Sequence, residues 1–344
     1  MVSAVDDWSV WRIYNLFHFL LRKFPNVAKR RFCHLGPLSG IESYWRNPVD
    51  RIGLLACSVS RRAERLSKVI IVMVQENFKF YKPCELLRPY VRYYWVFKSK
   101  QALDTYTFPI GCPQIIFHKQ NPLYIPELDT TQSKLTISGQ VNFSSHLYAD
   151  GNIEMIVVVF FPHTMNMFLN LPASLFYNQE ISGYDIEDRE LNELAERIFE
   201  CADNCLCVNM IEKWLLERLA GNIDHTDYGI RRIHAAIKQI CMYPQNSVMR
   251  LSSICCLSKK QFERDFNSLV GMNPKEYIRI VRFQKALALL QLKQHDINHT
   301  QIAYASGYAD QSHYIREFKR ISGYTPKSLL KISEPYSDLF TIPV

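Results

Sequence analysis

Two sets of side chains carry the donors and charge needed to read a polyanion. Lys260, Arg264 and Asn267 fall at i, i+4 and i+7, and so do Ser312, Arg316 and Lys319. At roughly 100° per residue each set occupies one face of a helix. An arginine guanidinium is a planar fork of donors that matches the acceptor edge of guanine, while lysine and serine reach phosphates or single acceptors. This is the chemistry of recognition rather than of bond-making. A solvated charged face is the ordinary reading of one such helix. Two matched faces in one chain favour a shared target.

The elements that must position these faces are legible around them. Ser258 and Asp310 are placed to cap helices that begin one residue later, and Phe262, Phe266 and Leu269 repeat as Tyr314, Phe318 and Ile321, an apolar stripe behind each basic front. Gly271-x-x-Pro274 and Gly323-x-x-Pro326 close the two copies. Each of these positions recurs at an offset of 52 residues, so the segment is an internal repeat. Small-residue stretches, Leu251-Ser-Ser-Ile-Cys-Cys and Ile302-Ala-Tyr-Ala-Ser, precede the copies and complete two helix-turn-helix units. The adjacent Cys255 and Cys256 are expected on a helix facing the core. Between the units, residues 274–293 hold no internal Gly or Pro after Pro274 and predict one long helix. At about 1.5 Å per residue it spans roughly 30 Å, close to the roughly 34 Å turn of B-DNA, which suits two successive major grooves.

Residues 228–331, through Gly307-Tyr308-x-Asp310-x-Ser312-x-Tyr314-x-Arg316-x-Phe318-Lys319 and Gly323-x-x-Pro326, resemble the AraC/XylS-type bacterial transcription regulators. His313 departs from the pattern, where an aromatic is more usual. The resemblance implies that Lys260, Glu263 and Arg264 on the first recognition helix, and Gln311, Ser312, Ile315 and Arg316 on the second, face base edges. The helical wheel independently selects Lys260, Arg264, Ser312 and Arg316, with Glu263, Gln311 and Ile315 flanking them. Lys319 is placed to hold a phosphate.

Charge follows the same division. The net charge is +7 over residues 1–72, −8 over 73–227 and +11 over 228–333, so the polyanion footprint lies on the repeat. From Asn77 to Phe161 the texture is β: YVRYYWVF, QIIFHK, LTIS and MIVVVFF alternate with turn-formers such as PIGCP, NPLYIPELD and YADGN, predicting a sandwich or barrel. Helical patterns follow at HTMNMFLNLP, EDRELNELAERIFECA and VNMIEKWLLERLA. This part more loosely resembles the sensor-like domain of some of the same regulators, implying a cupin-like or related fold that takes a small-molecule effector or protein partner, with helices suited to a homodimer contact.

The expected fold class is therefore α+β. A basic extension over residues 1–72 precedes a β-rich sensor domain with helices over 73–222 and an all-α double helix-turn-helix domain over 228–333. Met73 stands where such sensor domains begin and is a candidate natural start. The ten cysteines do not form a spaced disulfide framework, which points to a reducing cytoplasm. Cys201, Cys205 and Cys207 lack a fourth ligand, and His118, His146 and His163 lack clustering, so no metal or cofactor is expected. His295 and His299, at i, i+4 beside Asp296, are read as capping or phosphate-proximal. No stretch reaches the roughly 18 apolar residues of a membrane span, and residues 13–21 are too short for one. No catalytic signature is found. The reading is a transcription regulator binding double-stranded DNA, with RNA polymerase as a further partner. The rivals are a DNA-repair alkyltransfer enzyme built on the same helix pair, and a ligand- or partner-binding protein without DNA binding.

Overall fold

Runs of β-branched and aromatic residues build the first half of the described chain, because such side chains fill a pleated, half-buried surface well. In the computed structural model, which describes residues 78–221, 228–292 and 298–332, these runs pair as strands. They are β1 Phe78–Tyr81, β2 Val91–Ser99, β3 Leu103–Thr107, β4 Gln114–His118, β5 Tyr124–Ile125, β6 Thr130–Thr131, β7 Leu135–Ser138, β8 Ser145–Ala149, β9 Ile153–Phe160 and β10 Glu180–Ser182. Two antiparallel sheets result, ordered β1-β2-β9-β4-β7-β10 and β3-β8-β5-β6. Strand β9 lies inside the larger sheet between β2 and β4, and Met155 to Phe160 are all buried. Burial on both faces is why that strand reads as an unbroken apolar run.

Helices cover one face of this body: the single turn α1 Asn166–Leu169, then α2 Arg189–Glu200 and α3 Asn204–Gly221. Ile156, Val158 and Phe160 share a core with Leu191, Leu194, Ala195 and Ile198 of α2, the four apolar positions that the sequence pattern singles out. Asp188 caps α2 through the Leu191 N–H and also accepts from Arg218 of α3 at 2.6 Å, pinning the two helices together. The helix expected over HTMNMFLNLP is shorter than its pattern. It stops at Leu169 because Asn170 turns left-handed at φ 53° and Pro172 follows.

The remaining helices are α4 Tyr228–Met242, α5 Val248–Ile254, α6 Lys259–Val270, α7 Pro274–Leu292, α8 His299–Ala305, α9 Gln311–Ser322 and α10 Pro326–Ile332. Helices α4 to α6 and the start of α7 close one core on Phe262 and Phe266, while the rest of α7 with α8 to α10 closes another on Tyr314 and Phe318. The described residues fall in one compact unit. The extension 1–72, the candidate start Met73, residues 222–227 between the two expected domains, and His295 with Asp296 lie outside the described residues. No helix among the described residues is long and apolar enough to cross a membrane.

Candidate nucleic-acid interface

Helices α6 and α9 are built to the same plan. Ser258 accepts the Gln261 N–H at 3.2 Å, and Asp310 accepts the His313 N–H at 2.7 Å, satisfying one of the orphan donors at each N-terminus. Each helix stops at a glycine in the left-handed region, Gly271 at φ 89° and Gly323 at φ 74°, whose N–H returns to the carbonyl of Asn267 or Lys319. Glycine adopts that conformation without a Cβ penalty. Phe262, Phe266, Tyr314 and Phe318 are fully buried behind the helices. Val270 is fully buried while the expected Leu269 is half-buried, so the first stripe drifts by one residue at its end.

The opposite faces are open. Lys260, Arg264, Gln311, Ser312, Arg316 and Lys319 are exposed, and Glu263 and Ile315 are half-buried at their flanks. Arg264 is held by its own helix: Nη2 donates to Gln261 Oε1 at 2.7 Å, and Gln261 Nε2 donates to Asp265 at 2.6 Å. Among the described residues the side chains of Lys260, Arg316 and Lys319 form no hydrogen bond or ion pair, which leaves their charge available to a ligand. Gln311 Oε1 accepts from Thr300 of α8 at 2.8 Å, and Glu263 lies 3.9 Å from Lys259. His313 packs edge-on against Tyr308, with ring centroids 5.4 Å apart, so it fills an aromatic's place against the core.

The copies differ where the turn is made. Helices α5 and α8 are related by an offset of 51 residues, not 52, and Ala309 is the extra residue of the second turn. Position 256 of the first turn corresponds to Gly307 of the second, and both are left-handed, at φ 53° and φ 85°. The expectation that Cys255 and Cys256 both face a core is therefore corrected. Cys255 is buried, but Cys256 lies beyond the end of α5 in the turn and is exposed, because the chain must reverse there. The spacer α7 runs unbroken over 19 residues from Pro274, about 28 Å at 1.5 Å per residue. A bridge of 3.1 Å from Arg279 of α7 to the largely buried Glu317 of α9 anchors α9 to the spacer.

The β-rich body holds a polar chain that sequence reading did not assemble. The fully buried His118 bonds through Nε2 to Gln132 Oε1 at 2.9 Å, while Glu180 accepts from Gln132 Nε2 at 3.0 Å and from the Ser138 hydroxyl at 2.7 Å. Burial pushes the Glu180 carboxyl up to about 7, against those hydrogen bonds, and brings the His118 imidazole down to about 4. Gln132 and Glu180 lie 48 residues apart, so no local pattern announces the contact. His163 is buried and His146 pairs with Glu127 at 2.8 Å. Among the described residues no three His, Cys, Asp or Glu side chains form a group able to hold a metal.

This geometry defines a double helix-turn-helix protein with a β-rich N-terminal body, and comparison with known proteins agrees. Residues 251–332 match a family described as a helix-turn-helix domain, and residues 79–182 match a domain of unknown function, DUF6597. An uncharacterized HTH-type transcriptional regulator of Haemophilus influenzae is 29% identical over 125 residues, 36% of this chain and 38% of that protein. The HTH-type regulator YidL of Escherichia coli is 28% identical over 174 residues, 47% of this chain and 54% of YidL. The chain thus matches about half or less of these relatives' lengths. The crystal structure of ToxT from Vibrio cholerae aligns with 75% of this chain and 98% of its own at 15% identity, with a TM-score of 0.38, too distant in shape to carry an argument. Its C-terminal part is thus similar to the helix-turn-helix domains of bacterial HTH-type transcriptional regulators.

Proposed function

We propose that this chain is a sequence-specific, double-stranded-DNA-binding transcription regulator that lays α6 and α9 into successive major grooves. The observation that carries the reading is the pairing of two exposed cationic helix faces, Lys260 with Arg264 and Ser312 with Arg316, on aromatic cores joined by one unbroken spacer helix. Arg264 and Arg316 are assigned bidentate contacts to guanine, Lys260, Gln311 and Ser312 further base-edge contacts, and Lys319 a phosphate. Glu263 and Ile315 border the read positions. The β-rich body is assigned to an effector or protein partner, with a homodimer contact through its helices, and RNA polymerase is the expected partner at the promoter. The setting would be the bacterial cytoplasm.

The test is selection of bound sites from random DNA at fixed salt, with wild type and Arg316→Ala. Loss of about 1–3 kcal/mol of discrimination at one base position in the variant supports the assignment. Full retention of specificity contradicts it.

A further inference from the structure

The β-rich body does more than sit beside the helical repeat: it touches both recognition helices at the same structural position. At the end of α6, a Cβ built on Gly271 would lie 2.7 Å from the carbonyl oxygen of Ala173, so the turn Ala173–Phe176 abuts this helix terminus directly. At the end of α9, the buried Ser144 hydroxyl donates to the Ile321 carbonyl at 2.6 Å, satisfying one of the helix's orphan acceptors. Two residues on, a Cβ on Gly323 would lie 3.3 Å from the Tyr106 hydroxyl. Gly271 and Gly323 are equivalent positions of the repeat.

Between these points the body follows one face of the spacer. Tyr177 donates to Glu276 at 3.0 Å and Asn142 to the same oxygen at 3.3 Å. Gly111 approaches Tyr277 and Ile280, and Gln284 donates to the Pro109 carbonyl at 2.6 Å. Phe108 of the body is buried in the second unit's own core, with its ring centroid 5.6 Å from that of Phe283. That core is incomplete without the body. The read faces of α6 and α9 remain exposed while all these contacts are made, so the docked arrangement leaves DNA access open.

We propose that the β-rich body is a brace that fixes the spacing and relative rotation of the two recognition helices, and is therefore a determinant of the half-site spacing the chain accepts. A helix alone bends and its ends fray; contacts at both C-caps and along α7 restrict that freedom. The inference rests on the DNA-binding reading above. It makes Ser144, Glu276 and Phe108 positioning residues, remote from any base.

The experiment uses the full chain as wild type, as the double variant Ser144→Ala/Glu276→Gln, and as Phe108→Ala. Circular dichroism checks that helical content is retained, and the mild double variant serves if Phe108→Ala does not fold. Sites selected from random DNA are rebuilt with one base pair inserted or removed between the two contacted blocks. The brace predicts that this change weakens wild type by about tenfold or more and a variant by about threefold or less. Non-specific affinity at matched salt is expected to stay the same. If wild type selects no sequence, the DNA-binding reading falls and the brace with it. If wild type selects one spacing and the variants keep it as sharply, the brace alone is overturned.

Discussion

At the scale of single residues, the repeat allows each copy to be judged against the other. Position 307 is glycine and its counterpart 256 is cysteine, although both are left-handed. A non-glycine residue pays roughly 1–2 kcal/mol for that conformation, partly offset because glycine loses more freedom on folding. Cys256→Gly is therefore expected to raise stability by up to about 1 kcal/mol in urea denaturation. An unchanged or lower midpoint would remove backbone strain from the account of this turn. Glu180 gives a pH prediction. Its carboxyl is held up to about 7 in the folded chain against an ordinary 4.5, so the folded state binds the extra proton in this window. Its contribution to stability is then fully present below pH 4.5 and is lost as pH rises through 7. Glu180→Gln should flatten that fall and melt higher than wild type at pH 8. A variant that melts lower there, on the same slope, contradicts the raised-carboxyl reading.

At the scale of elements, the spacer and the caps decide the outcome. Both N-caps, both terminal glycines and the start of α7 at Pro274 were legible in the sequence, because capping and left-handed turns act within a few residues. The strands YVRYYWVF, LTIS and MIVVVFF were legible for their β-branched and aromatic runs. Strands β5 and β6, two residues each, were not, since pairing rather than propensity makes them, and NPLYIPELD reads only as a turn. Nor was the offset of 51, because one inserted residue in a turn leaves both helix patterns intact. Lys285→Pro in α7 tests the spacer: it should cost about 3 kcal/mol or more and kink the helix. Affinity for a site with both half-sites should then fall to that for one half-site. Undiminished two-site binding would show that α7 does not set the geometry.

At the scale of the whole molecule, charge and docking work together. The charge of +11 on residues 228–333 against −8 on 73–227 concentrates the attraction for a polyanion on the helical repeat and not on the acidic body. The seam between them was hidden from the sequence: Ser144 and Ile321 are 177 residues apart, and Pro109 and Gln284 are 175 apart. Such contacts depend on tertiary placement and leave no periodic trace. The central claim is that both recognition faces engage one duplex from one side. Methylation interference on a selected site, read with wild type and with Arg264→Ala and Arg316→Ala, tests it most directly. The account predicts two major-groove blocks one helical turn, about 10.5 base pairs, apart, with each substitution erasing contacts in a different block. A single block, or two blocks untouched by both substitutions, would contradict it.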